Sequence, residues 1–197
     1  MIVSRDTILS GGFMSVKITK EKILDIAFEI VRTNGIENLS NRTIAKELKS
    51  SIRPIYYQFK NTDELKKELY NKIKKYFFAY IFDKSVEDSY KQVGINYIRF
   101  SKEESNLFKS LFFNNYIPSD FLLESDDEFK EIYNLIRMKS NVKNIMDFHV
   151  EMWIFTHGLA TLVACNNMYF SDEDVSNLLT MEFKALSSLN KKEGNDK

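Results

Sequence analysis

The feature that most limits how this chain can fold is its lack of chain-breaking residues: 197 residues carry six glycines and two prolines, Pro54 and Pro118. A many-stranded sheet needs a turn every few residues, and turns draw on Gly and Pro for their backbone angles. Lys, Glu, Leu, Ile and Phe recur instead at helical spacing, so the chain reads as all-α. With 44% of its residues hydrophobic, it has enough apolar surface to fill a core, in one large or two small domains. One cysteine, Cys165, cannot close an internal disulfide; it reads as a small buried hydrophobe in a reducing compartment. The most apolar stretch, residues 152–165, is interrupted by Thr156, His157, Gly158 and Thr161 and falls short of the roughly 18 apolar residues of a membrane span. No membrane association and a cytoplasmic location are expected. Residues 1–16 lack the basic start and apolar run of an export signal. Ser-Gly-Gly before Phe13 and Met14 is compatible with an encoded ribosome-binding sequence, so the expectation is either a true start at Met14 or a disordered tail.

A formal net charge of zero conceals a division. Residues 1–75 hold 15 Lys and Arg against 9 Asp and Glu, and residues 76–197 hold 13 against 19. A basic first part on an acidic remainder suggests that only the first part faces a polyanion.

Local signals divide that first part into short helices. Thr19 is placed to cap a helix with Ile23, Ala27, Ile30 and Val31 on one face, and Asn34-Gly35 supplies a left-handed stop. Ser40 is the next N-cap, ahead of Ile44, Ala45 and Leu48 on a helix of about two turns. After a three-residue turn, Ser51 is expected to cap a third helix with Ile52, Arg53 and Pro54 in its first turn. Proline breaks no hydrogen bond there, because first-turn N–H groups have no intrahelical acceptor. Ile55 and Phe59, four apart, would then point into the core, leaving Arg53, Tyr56 or Tyr57, and Gln58 to solvent. Asn61 with Glu64 reads as the capping box of a fourth helix, whose stripe Leu65, Leu69, Ile73, Phe77 runs to about Phe82.

Two short helices joined by a tight turn, with Arg and Tyr on the second, make a helix-turn-helix. The run from "TKEKILDIAFEIVRTNG" through "LSNRTIAKELKSSIRPIYYQFKNTDEL" resembles the DNA-binding domain of the TetR family of bacterial regulators. The landmarks are the first helix ending in Asn-Gly; Ser40, Arg42, Ile44 and Ala45 of helix 2; Ile55, Tyr56 and Phe59 of helix 3; and the Lys-x-x-x-Glu-Leu pattern of Lys60, Glu64 and Leu65 opening helix 4. The chain departs from the family pattern in four places. Lys49 replaces the usual turn glycine and Ser50 the usual Val, which implies a less tight turn. Thr62 replaces a phosphate-binding Lys, and Thr43 an acidic capping partner.

The resemblance implies a three-helix helix-turn-helix domain over residues 17–77 and a C-terminal helical ligand-binding and dimerisation domain over 78–190, with a disordered tail at 191–197. It also implies that helix 3 enters the major groove of a double-stranded operator. The residues expected at DNA are Arg42, Thr43, Ser51, Ile52, Arg53, Pro54, Tyr56, Tyr57, Lys60 and Thr62. Arg53 has the fork to read guanine O6 and N7, or else clamps a phosphate; Tyr56 is a phosphate donor or a partly buried prop.

Beyond Phe82, helices are expected at about 86–103, 105–114, 127–140, 142–166 and 171–189, the last with a Ser171/Asp174 capping box. Residues 116–125, with Pro118, read as an irregular loop. Trp153, His157 and Gly158 resemble the Trp-x-x-x-His-Gly signature of one C-terminal subtype of the family. By that resemblance the last two helices of each subunit form the homodimer interface. Aromatics crowd the preceding region, and Tyr97, Phe100, Phe108, Phe112, Phe113, Trp153 and His157 are candidates to line a pocket for an unidentified small apolar effector; a plain helical core uses the same residue types. His149, Trp153 and His157 recur every four residues without metal-ligand spacing, so no metal and no cofactor is expected. No nucleophile and base pairing and no phosphate loop point to an enzyme. The expected function is a homodimeric repressor released from a palindromic operator by an effector. The alternative is a DNA-bound protein whose C-terminal domain recruits another protein.

Overall fold

A computed structural model of the chain describes residues 18–83, 85, 89–113 and 127–190. The expected tails at 1–16 and 191–197 and the loop at 116–125 lie outside the described residues. Within them the chain is all-α: α1 Lys20–Asn34, a single 3-10 turn Ile36–Asn38, α2 Asn41–Glu47, α3 Arg53–Gln58, α4 Thr62–Ile81, α5 Tyr90–Glu103, α6 Ser105–Phe112, α7 Asp127–Lys139, α8 Ile145–Ala164 and α9 Asp172–Leu189.

The first helix starts where Thr19 Oγ1 accepts the Lys22 N–H and stops at Gly35, whose φ of 86° suits glycine. A Cβ at Gly35 would be strained by that backbone angle, and the Glu37 carboxylate, 2.4 Å from its position, would also have to swing away. Ser40 caps α2 and Thr43 completes a capping box with it, which shows that a threonine can do the acidic partner's work. The following turn is closed by two backbone bonds, Ser50 N–H to Ala45 O and Lys49 N–H to Lys46 O, each at 3.0 Å. This is a Schellman stop with Lys49 at φ 51° in the left-handed position. The looser turn expected from the missing glycine is therefore corrected: Lys49 adopts the glycine conformation and carries its cost.

Two further expectations change at α3. Ser51 does not cap the helix: no side chain caps it, and Ile52, already helical at φ −73°, occupies the N-cap with Pro54 next to the first helical residue. Ile55 N–H closes the start on Ile52 O at 3.1 Å, so the backbone itself does what the hydroxyl was expected to do. Pro54 still breaks no bond. Gln58 is half-buried and donates to Ile18 O at 3.2 Å, so it ties α3 to the chain entering α1 instead of facing solvent. At α4 Asn61 caps as expected, while Glu64 reaches back to the Lys60 N–H at 2.7 Å instead of to Asn61.

Helix α4 spans 20 residues, about 30 Å of rod. Its buried stripe Leu65, Leu69, Ile73, Phe77, Ile81 packs first on α1 and then on the C-terminal helices, where the Phe77 ring lies 5.3 Å from Tyr97 and 5.1 Å from Phe100. The division expected after residue 77 thus falls inside a continuous helix. The buried amide of Asn96 donates to Ile81 O at 3.2 Å and holds the end of α4 on α5. α5 begins at Tyr90 behind the cap Ser89, and α8 at Ile145 behind Asn144, both later than the apolar pattern suggested, because the caps and not the pattern set the starts. α8 ends in a second left-handed stop at Asn166, φ 55°. α5 and α8 lie side by side and run the same way, joined by Tyr90 to His149 and Tyr97 to His157, both at 2.9 Å. α9 closes the bundle where Gly94 lets Leu179 approach to within 3.0 Å of a Cβ position.

Candidate nucleic-acid interface

α3 and its C-cap Phe59 present two contrasting sides. Ile55 and Phe59 are buried at 1% and 3% exposure, while Tyr56 and Tyr57 stand out at 57% and 84%. Large aromatics so exposed on a short helix are costly to solvation unless something covers them. Arg53, four residues before Tyr57, shares their side of the helix. Arg42 and Lys46 form a second exposed pair four apart on α2, and Lys60 and Thr62 are exposed at the start of α4.

The cations of this side differ from those behind it. Lys20 pairs with Glu68 and, at 3.7 Å, with Glu64; Lys72 pairs with Asp25; Arg32 pairs with Glu104. Among the described residues the side-chain cations of Arg42, Lys46, Lys49, Arg53 and Lys60 meet no carboxylate. An exposed, unpaired group of cations with protruding tyrosines is suited to a phosphate backbone and base edges.

The ten expected contact residues do not all share that character. Arg42, Ser51, Ile52, Arg53, Tyr56, Tyr57, Lys60 and Thr62 are exposed, and Pro54 is half-buried. Thr43 differs: its hydroxyl accepts the Ser40 N–H at 2.9 Å and donates within the same cap, to Ser40 O at 2.8 Å or Asn38 O at 3.0 Å. The hydroxyl expected for DNA is engaged locally. Lys46 and Lys49 were not foreseen; the signal available was their place, one turn after Arg42 and in the turn itself.

Six of the seven residues expected at an effector gather into one cluster between α5, α6 and α8, while Phe100 packs instead on Tyr76, Phe77 and Tyr80 of α4. Phe108 meets Phe112 at 4.8 Å and Phe113 at 6.0 Å; His157 meets Phe112 at 5.1 Å and Trp153 at 4.9 Å. Phe100 and Phe108 are fully buried and belong to the core, whereas Phe113 is 44% exposed and Phe112, Trp153 and His157 are half-buried. Burial lowers the pKa of His157, and burial takes that of His149 down to about 4, so both rings are neutral at physiological pH. Burial pushes the Tyr97 hydroxyl up, with the Trp153 indole N–H acting against it. A separate cavity of about 170 Å³ opens among α5, α8 and α9, lined by Ile95, Arg99, Lys102, Val163, Phe170 and Val175 among others; none of the seven residues lines it.

A link between the two regions was not foreseen. Glu104, 8% exposed between α5 and α6, accepts from Arg32 Nε at 2.9 Å and Nη2 at 2.5 Å and from the Tyr76 hydroxyl at 3.1 Å. Asn106 donates to the carbonyls of Arg32 and Thr33 at 3.0 and 3.2 Å, completing the last turn of α1. The α5–α6 elbow thus holds the C-terminus of α1, the helix that precedes the helix-turn-helix.

No family model matches the chain. Over 46 residues it is 39% identical to the HTH-type nicotine-responsive transcriptional repressor HdnoR of Paenarthrobacter nicotinovorans, a match covering 23% of this chain and only 24% of that relative's length. Among solved structures it is similar to a TetR-family transcriptional regulator from Haemophilus influenzae, at a TM-score of 0.62 and 18% identity, over 84% of this chain and 94% of that one. It is similar also to a transcriptional regulator from Rhodococcus, at 0.62 and 12% over 89% and 100% of the two chains. The dihydroxyacetone kinase operon activator DhaS is a further neighbour, at 0.52 and 14% over 89% and 99%. At these identities the likeness establishes the fold. Among the described residues no helix is long and apolar enough to cross a membrane.

Proposed function

We propose that this chain, which has the fold of the TetR-family regulators, is a DNA-binding transcriptional regulator that acts as a homodimeric repressor and leaves its operator when an aromatic effector binds between α5, α6 and α8. One observation carries the first part: the exposed side of α2, the turn, α3 and the start of α4 carries unpaired Arg and Lys with two protruding tyrosines, while the cations behind it are paired within the protein. α3 would lie in the major groove with Arg53 at base edges, and Arg42, Lys46, Lys49 and Lys60 would neutralise phosphates.

The reading requires a dimer, because a helix of six residues covers too few bases to specify a site, whereas two copies on a two-fold axis read a palindrome. The outward side of α8 and α9 fits such a seam. Ile154 is 60% exposed and Met181 68%, and Gly158 has nothing within 4 Å of a Cβ position, so a partner helix can approach closely. Glu104 and Asn106 give the effector region a lever on the head, since moving the α5–α6 elbow moves the end of α1. For an effector to weaken DNA binding 100-fold it must favour the non-binding arrangement by about 2.7 kcal/mol.

The test is selection of bound duplexes from a random library by the purified chain, followed by anisotropy titration of the selected site. An inverted repeat with half-sites about one helical turn apart is expected. Recovery of sequences with no common pattern would refute the regulator reading.

A further inference from the structure

His157 lies on the flank of α8 that faces α6, stacked on Trp153 at an interplanar angle of 18° and lying over Phe108 at 5.7 Å and 30°. Its two ring nitrogens are in different situations. Nδ1 is 2.9 Å from the Tyr97 hydroxyl. Tyr97 is 6% exposed, and the other group at its hydroxyl, the Trp153 indole N–H, is itself a donor. A buried phenol must give its proton to an acceptor, and Nδ1 is the acceptor in reach; the opposite direction would leave the O–H orphaned in an apolar surround. The Tyr97 hydroxyl therefore donates, and the neutral imidazole carries its own proton on Nε2. That N–H meets no acceptor among the described residues, and it is not sealed in the core.

We propose that His157 presents its Nε2–H as the orienting donor of a subsite for a flat, neutral aromatic ligand bearing a ring nitrogen or carbonyl acceptor, with Trp153 and Phe112 providing the apolar walls. The proposal rests on the effector reading given above and adds the chemistry of the ligand. The cluster carries no ionised group to balance a charged molecule, since Tyr97 keeps its proton and His157 is neutral. Trp153 and His157 are stacked on each other at 4.9 Å, so a planar guest would stack on the outer face of the half-buried Trp153 ring, beside the edge-on Phe112. Because Tyr97 fixes the tautomer, an acceptor on the guest is matched, whereas a guest offering only an N–H or O–H faces a second donor.

Trp153 is the only tryptophan of the chain, so its emission reports this site alone. The full chain is titrated with pyridine and, separately, with benzene, two rings of the same size that differ by one acceptor, at a pH where pyridine is neutral and with excitation that neither ring absorbs. The ratio of pyridine to benzene affinity is expected to fall about five- to tenfold in His157→Phe, which keeps a ring in the stack and removes the donor. Benzene affinity should change by less than about twofold, a control that the variant remains folded. An unchanged ratio, or no response of Trp153 to either ring at millimolar concentration, overturns the proposal. Nitrogen-15 NMR of the two histidines is the second measurement: His157 should show a pyridine-like Nδ1 and a pyrrole-like Nε2, and the reverse assignment overturns it as well. Operator affinity measured with and without pyridine separates the two readings. Pyridine that binds with the expected preference but leaves DNA affinity unchanged defeats the effector role of the cluster and leaves the subsite standing; failure to bind defeats the subsite.

Discussion

Replacing Glu104 by glutamine keeps the side chain's shape and removes its charge where α1 is tied to the helices behind it. The carboxylate accepts two bonds from the Arg32 fork, at 2.9 and 2.5 Å, and a third from Tyr76 at 3.1 Å. Glutamine offers one carbonyl oxygen, and its amino group must turn toward a guanidinium N–H, so one arm of the fork loses its acceptor and the other loses charge assistance. Bonds to charged groups contribute about 1.5–3 kcal/mol against about 1 for neutral ones. Arg32 is 42% exposed and recovers part of that from water, which leaves a net loss of about 1–2 kcal/mol. For a chain of this size that is a fall in Tm of about 3–6 °C, measured by circular dichroism at neutral pH. Arg32→Lys should lose a similar amount, because lysine cannot fork. In a double-mutant cycle, Arg32→Ala and Glu104→Ala should be coupled by about 1 kcal/mol. An unchanged Tm in Glu104→Gln, or strict additivity in the cycle, would refute the reasoning that this contact holds head to body.

Lys49→Gly should stabilise the protein by up to about 1 kcal/mol in urea denaturation, since glycine removes the cost of the left-handed angle while adding freedom to the unfolded chain; a loss would mean the angle carries no strain. His149 gives a pH dependence of defined sign. The folded protein holds its ring neutral down to about pH 4, whereas an unfolded histidine protonates near 6.5. The unfolded state therefore binds more protons between those values, and stability that is full above about pH 6.5 declines as the pH falls toward 4, by about 3 kcal/mol in all. His149→Gln should flatten most of that decline in urea midpoints; an identical slope contradicts it. If two copies pair along α8 and α9 as proposed, Ile154→Asp should leave a 23.2 kDa monomer in light scattering, and a dimer that persists in the variant would move the seam elsewhere.

What could be read in the sequence was local. Thr19, Ser40, Asn61 and Ser171 cap their helices as expected, because a cap is decided within three residues. Ser51 fails under the same rule: Ile52 takes helical angles and the turn closes through the backbone, an outcome that side-chain identity does not encode. Lys49 fails differently, since the family glycine it replaces marks a dihedral angle, and the two Schellman bonds impose that angle on lysine. The pairs that join helices were not legible at all. Arg32 and Glu104 are 72 residues apart, and the Tyr–His pairs 59 and 60; such partners become visible only when the bundle fixes which sides meet. The aromatic group was recognisable as a group, but its division into core, as with Phe100 and Phe108, and accessible flank, as with Phe113, follows from packing.

The central claim, that the exposed side of α3 reads duplex DNA, is tested most directly by the affinity of wild type and Arg53→Ala for a selected operator and for versions with each base pair changed in turn. If Arg53 reads a base, the variant loses about 1–3 kcal/mol on the selected site and becomes indifferent to one position of each half-site. Undiminished affinity and unchanged preference at every position would contradict the account.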